Sequence, residues 1–233
     1  LESVVITFCP HPRSVLFPAD TDFKLLSVNK EKIRLFEKEG IDHLVMYPFT
    51  HEFSRLSALE YIENFLVKLF HPAYIIIGYD HRFGLNRLGD ISLMKEKAQK
   101  YGYKVIEIEK QQIENNAISS TKIRQAIAGG DIETARIYSN HNYFLTGKVM
   151  NGYQYGRKLG FPTANLKALK DKLIPGDGVY AVQVYLEEEV YKGMMYIGIK
   201  PSFNDHFERV IEVHIFDFSF DIYGSEVEVE LIE

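Results

Sequence analysis

The feature that most constrains this chain is a change in its hydrophobic period near residue 140. Before that point, short apolar runs alternate with helical patterns, as βα units around a mainly parallel sheet require. After residues 139–142, apolar side chains recur at every second position, as in 179–186, 210–218 and 227–231, with Gly, Pro, Asn and Asp at the turns between. A period of two implies strands with one covered face, so this half is predicted to be antiparallel and closed into a small barrel. The expected architecture is a Rossmann-like α/β domain over residues 1–140 and a β-barrel domain over 141–233, joined by a short polar linker that is not rich in Gly or Ser.

Local signals sharpen the first half. Residues 4–8, 43–47, 73–77 and 104–109 read as strands. Ile33 and Phe36 recur at helical spacing ahead of Gly40, a C-cap residue, and Ser57 followed by Glu60 forms a capping box for the helix carrying Ile62, Phe65, Leu66 and Leu69. Pro72 stops that helix, and Asp90 caps another that runs toward Gly102.

Composition narrows the function classes. A chain of 233 residues with 46% hydrophobic and 25% charged residues can bury a sizeable core. The net charge of −5, with no basic run interleaved with aromatics, argues against nucleic acid as a partner and leaves oligomeric state open. No apolar stretch approaches the roughly 20 residues that span a bilayer, so no membrane partner is expected. Cys9 has no second cysteine to pair with, which suits a reducing, cytoplasmic setting. The chain does not begin with Met, as expected of a sequence that starts inside a longer gene product.

The most informative segment is 147–165, Gly-Lys-Val-Met-Asn-Gly-Tyr-Gln-Tyr-Gly-Arg-Lys-Leu-Gly-Phe-Pro-Thr-Ala-Asn. Glycines such as Gly152 and Gly156 let backbone approach a ligand closely, and Arg157 supplies a forked donor suited to phosphate oxygens. Mg²⁺ on a nucleotide prefers oxygen ligands and keeps several waters, so a hydroxyl and an amide carbonyl from Thr163 and Asn165, two apart in an extended segment, are chemically suitable. Downstream, Ile211, Val213 and Ile215 alternate with Glu212 and His214, placing Glu212 on the face opposite the barrel wall. Singly, a Gly-rich loop is a turn and a Glu on an alternating strand is a solvated face. His214 on the same face could serve as a second base, but a lone His on a strand more often satisfies a structural hydrogen bond, and it is left unassigned; Glu226, Glu228 and Glu230 read as the wet face of a strand.

In the first half, Gly78-Tyr79-Asp80-His81-Arg82-Phe83-Gly84 follows a strand at its C-terminal end, where open α/β sheets bind ligands. Ser119, Ser120, Thr121 and Arg124 open a helix, where free N–H groups and hydroxyls favour an anion; ordinary N-capping by Ser119 or Ser120 fits the same spacing.

Taken together, these motifs resemble the bifunctional riboflavin kinase and FAD synthetase family. The stretch ending in Gly-Phe-Pro-Thr-Ala-Asn looks like the riboflavin kinase signature, and 175–181 and 196–203 follow the same pattern. The resemblance implies small-molecule substrates and phosphorylation of riboflavin to FMN by ATP with Mg²⁺, with metal and nucleotide held by Thr163 and Asn165. It assigns to Glu212 the role of base toward the attacking hydroxyl. It also implies adenylylation of FMN to FAD in the first half, with Gly78, Asp80, Arg82, Phe83, Ser119, Ser120, Thr121 and Arg124 around nucleotide and flavin. Thr7-Phe8-Cys9-Pro10-His11-Pro12 resembles the family's second strand and following loop. The family's His-x-Gly-His motif, which stabilises charge on the transferring phosphate, does not occur in this sequence, nor does the helical sequence that follows the last strand. Those departures predict that this sequence by itself does not make FAD. They also leave open a kinase with a degenerate flavin-nucleotide-binding module and a non-catalytic flavin-binding regulator.

Overall fold

The computed structural model describes residues 1–110, 112–113, 116–151, 162–201 and 207–233. By internal contacts the chain forms two compact units. One comprises Leu1–Asp22 with Gly40–Ala117, and the other comprises Phe23–Glu39 with Ile118–Glu233.

The first unit holds β1 (Val4–Cys9), α1 (Pro12–Leu16), β2 (His43–Pro48), the short helices α3 (His51–Ser54), α4 (Ala58–Glu60) and α5 (Lys68–Phe70), β3 (Tyr74–Gly78), α6 (Ile91–Tyr101) and β4 (Lys104–Ile108). A small antiparallel pair, β5 (Gln112–Ile113) with β6 (Asn116–Ala117), completes it. The strands pair in parallel, β1 with β2 and β3 with β4, as separate two-stranded sheets. Each parallel partner is reached through intervening helix, as parallel strands demand. The capping box predicted at Ser57 forms, with Glu60 N donating to Ser57 Oγ at 3.2 Å and Ser57 N to Glu60 Oε2 at 2.8 Å. Between α4 and α5 the helix widens into a π turn over Tyr61–Val67, whose Ile62, Phe65 and Leu66 are buried. These pack with Ile75, Ile77, Phe83, Met94 and Tyr103 into one core. Asp90 caps α6 through Leu93 N at 3.0 Å, and Gly102 ends it in the left-handed region.

The second unit is a closed barrel of six strands, β7 (Phe144–Met150), β8 (Ala164–Ala168), β9 (Gly178–Leu186), β10 (Glu189–Pro201), β11 (Phe207–Ile215) and β12 (Glu226–Leu231). Their order is β10-β11-β8-β7-β12-β9, with antiparallel neighbours throughout. Alternate residues, among them Leu145, Val184, Met195, Ile197, Val229 and Leu231, are fully buried and fill the interior. Strand β11 ends at Ile215 rather than at the expected residue 218, because the chain turns at Asp217, whose φ is 53°.

Among the described residues, three helices belong to the barrel unit: α2 (Asn29–Lys38), α7 (Ser120–Ala128) and α8 (Ile132–Ser139). Thus segment 23–39, which lies within the α/β half by sequence order, packs with the barrel. Leu25 N donates to Asp171 O at 2.7 Å and Leu173 N to Leu25 O at 2.9 Å, forming a bridge beside Lys172. Along α2, Lys30 and Arg34 pair with Glu226 and Glu228 of β12. The carboxylates read as a wet strand face therefore receive a basic helix, and Glu230 accepts from Tyr185 Oη at 2.7 Å.

Candidate active site

Strand register brings together candidate residues of the second half that are far apart in sequence. On β11, Ile211, Val213 and Ile215 point into the core while Glu212 and His214 take the other face. Glu212 stands opposite Asn165 of β8 on one side and opposite Tyr196 of β10 on the other. Asn165 itself lies between Met150 of β7 and Glu212. Two residues far apart in sequence thus meet on one outer face of the barrel, because residues opposed across a ladder project to the same side.

Thr163 precedes β8 and, with Pro162, Val149, Ile215, Phe218 and Tyr223, lines a cavity of about 300 Å³. Asn165 and Glu212 are not in that lining. His214 Nδ1 lies 2.8 Å from the Pro162 carbonyl. A carbonyl only accepts, so the proton sits on Nδ1, and this bond fixes the residue just ahead of Thr163. The structural alternative weighed for His214 is the one the structure displays.

Glu212 also makes a contact that no spacing signalled: Lys200 Nζ, from the 196–203 segment, donates to its Oε1 at 2.7 Å. The carboxylate side chain is 17% exposed and the lysine 40%. Arg209 was likewise unsignalled; its Nε donates to Asp177 Oδ1 at 2.8 Å and its Nη2 reaches the Pro175 carbonyl, bracing the Pro-Gly-Asp-Gly turn. Both pairings depend on strand register, which sequence spacing does not supply. Gly152, Gly156 and Arg157 lie outside the described residues. Gly147, which opens the glycine-rich segment, serves packing: a Cβ there would come within 2.6 Å of the Lys167 carbonyl on β8.

The first unit places Gly78 at the end of β3, with Asp80, His81 and Arg82 exposed beyond it. Arg82 pairs with Asp90 at 2.8 Å. Partial desolvation by its neighbours lowers the His81 imidazole pKa below its ordinary value, opposed by Asp80 and reinforced by Arg87. Phe83 is a core residue, its ring 5.0 Å from Tyr61. Gly84, with φ at 73°, is needed where the loop touches helix backbone, since a Cβ would lie 2.6 Å from Ala58.

Ser119, Ser120, Thr121 and Arg124 belong to the second unit. Ser119 is the N-cap of α7, accepting from Lys122 N at 3.3 Å, so the ordinary capping reading is realised there. Ser120 and Thr121 are exposed on the first turn. Arg124 donates to the Lys24 carbonyl at 3.2 Å and lies over the Phe23 ring at 5.1 Å.

Among the described residues no group of three or more His, Cys, Asp or Glu side chains is arranged to hold a metal. Thr163 brings a neutral hydroxyl to the cavity, whose lining also includes Ser219, Asp221 and Tyr223, and Asn165 lies two residues beyond Thr163; neutral oxygens such as those of Thr163 and Asn165 suit a cation already carrying phosphate charge. Among the described residues, no helix is long and apolar enough to cross a membrane.

Comparison with known proteins matches both halves. A family model described as FAD synthetase covers residues 1–122, and one described as riboflavin kinase covers residues 139–233. Curated relatives named bifunctional riboflavin kinase/FMN adenylyltransferase include one from Listeria monocytogenes, 36% identical over 99% of this chain and 73% of its own length. Another, from Buchnera aphidicola, is 38% identical over 98% of this chain and 74% of its own, and one from Bacillus subtilis is 33% identical over 99% and 73%. A solved structure titled as a macrolide-efflux protein from Streptococcus pneumoniae superposes with a TM-score of 0.86 and 33% identity, covering 100% of this chain and 75% of that one. Its title names a different activity from the curated relatives; what it shares with this chain is the fold.

Proposed function

The chain belongs to the bifunctional riboflavin kinase/FMN adenylyltransferase family, enzymes that phosphorylate riboflavin to FMN and adenylylate FMN to FAD, and from that premise we propose how its residues divide the two reactions. The observation that carries the kinase assignment is the register of Glu212 opposite Asn165, beside a cavity that Thr163 lines.

In the first reaction the riboflavin 5′-hydroxyl oxygen attacks the γ-phosphorus of ATP. Its proton passes to the Glu212 carboxylate, an O–P bond forms, the bond from γ-phosphorus to the bridging oxygen breaks, and ADP leaves. Thr163 and Asn165 would hold Mg²⁺ with the nucleotide, which supplies charge neutralisation on the phosphates. His214 keeps the Pro162 carbonyl in place ahead of Thr163. Gly152, Gly156 and Arg157 are assigned to the ATP phosphates by their motif.

In the second reaction an FMN phosphate oxygen attacks the α-phosphorus of ATP and pyrophosphate leaves. Asp80, Arg82 and the backbone at Gly78 bind nucleotide or flavin in the first unit, with Phe83 anchoring their loop in the core. Ser120, Thr121 and the α7 N-terminus capped by Ser119 are assigned to the same reaction by their motif, and Arg124 orders the segment at Phe23 and Lys24.

The test incubates the intact protein with riboflavin, ATP and Mg²⁺ and separates flavins by chromatography. Glu212→Gln is expected to slow FMN formation by about 10² to 10⁴ while conversion of supplied FMN to FAD continues. Unchanged FMN formation would remove Glu212 from the mechanism.

A further inference from the structure

We propose that Lys200 is a positioning residue for the kinase step: it holds Glu212 by one carboxylate oxygen so that the other faces the substrate hydroxyl. The inference rests on the reading of Glu212 as the base and names what aims it.

The geometry is specific. Lys200 lies on β10 four residues beyond Tyr196, the residue directly opposite Glu212, so the contact spans two register steps, about 13 Å of strand. The Tyr196 ring lies over Gly198, the intermediate residue on that face, where a Cβ would collide with it. Lys200 is thus the next side chain on this face of β10 long enough to reach back to the carboxylate. Its Nζ bonds Oε1 at 2.7 Å, a charge-assisted length, and among the described residues Oε2 has no hydrogen-bond partner.

A surface ion pair of this kind would ordinarily matter little, contributing about 0–1 kcal/mol to stability. Here one member is the proposed base, so the consequence falls on rate. A general base must lie within hydrogen-bond reach of the proton it takes, and small misplacements cost large factors. A free glutamate rotates about three side-chain bonds; a carboxylate pinned at one oxygen from a barrel strand retains little of that freedom.

Five proteins test this: wild type, Lys200→Met, Glu212→Gln, the double variant and Lys200→Arg as the conservative control. Lys200→Met is expected to lower kcat for FMN formation by about 10 to 100-fold with KM for riboflavin and for ATP within about twofold. Lys200→Arg should recover most of the rate, since a guanidinium can donate to the same oxygen. If Lys200 acts through Glu212, the double variant should be no slower than Glu212→Gln alone. Unchanged kcat in Lys200→Met would overturn the proposal. So would a double variant slowed by the product of the two single effects, which would make Lys200 an independent ligand of phosphate. An unimpaired Glu212→Gln would instead sink the base reading, and this inference with it.

Discussion

At the residue scale, the proposed kinase site rests on three side chains whose roles are chemically separable. Thr163 lines the cavity with a hydroxyl, Asn165 opposes Glu212 across two strands, and Glu212 carries the carboxylate. Thr163→Ala removes one neutral oxygen with little loss of volume, whereas Asn165→Asp keeps an oxygen and adds charge. The two should therefore differ in magnesium dependence: titrating Mg²⁺ against the rate of FMN formation should show Thr163→Ala needing about tenfold more metal, with riboflavin affinity unchanged. Adenylylation of supplied FMN should survive in both. Loss of FAD formation with an intact kinase step in Thr163→Ala would mean that the two activities had been assigned to the wrong halves. Of these residues, Thr163, Asn165 and Glu212 were visible in sequence because each sits in a motif. Lys200 sits in the 196–203 segment, but its contact with Glu212 was not visible, since a diagonal contact between strands exists only once their register is set.

At the element scale, helix ends were readable and helix partners were not. Ser57, Asp90 and Ser119 cap where spacing said they would, because a cap is a bond between neighbours in sequence. Asp131 caps α8 in the same way, accepting from Thr134 N at 3.0 Å, and the Thr134 hydroxyl and then that amide hold its carboxyl pKa low. A carboxyl depressed in the folded state stabilises fully above its unfolded pKa of about 4, and the contribution is lost as pH falls through the lower folded value. Asp131→Asn keeps the capping oxygen without the titration, so its melting temperature at pH 7 should nearly match wild type while its loss between pH 5 and pH 3 is smaller. Asp131→Ala should cost about 1 kcal/mol at neutral pH. An identical acid profile for the Asn variant would show that this cap carries no ionic component.

At the scale of the whole molecule, the barrel unit recruits a segment from early in the chain through one buried ion pair. Lys172 Nζ donates to Glu31 Oε2 at 2.7 Å and to the Leu26 carbonyl at 2.7 Å, while Glu31 also accepts from Val28 N and Thr146 N at 3.0 and 3.1 Å. Their side chains are 1% and 0% exposed, and the Tyr143 ring lies 4.0 Å from the ammonium. Burial pulls the Lys172 pKa down to about 8, against the opposing attraction of Glu31. Removing one member strands the other charge away from water. Glu31→Gln should therefore destabilise the barrel unit by about 3–5 kcal/mol in chemical denaturation, and adding Lys172→Met should recover much of that loss. If the double variant is less stable than Glu31→Gln, the pair is not the coupling element.

What the sequence determined by itself was everything encoded by period and neighbour: the switch from βα units to an antiparallel barrel, the strands, the capped helix starts and the motifs that mark the family. What only the tertiary structure decided was contact at long range. It put Asn165 opposite Glu212, gave Glu212 its Lys200 partner and His214 its Pro162 carbonyl. It also carried residues 23–39 to the barrel, where Lys30 and Arg34 meet carboxylates that an alternating pattern presents as solvated. The physical reason is that periodicity reports which face of an element is polar or apolar, whereas register and helix docking are set by burial, shape and charge summed over elements distant in sequence.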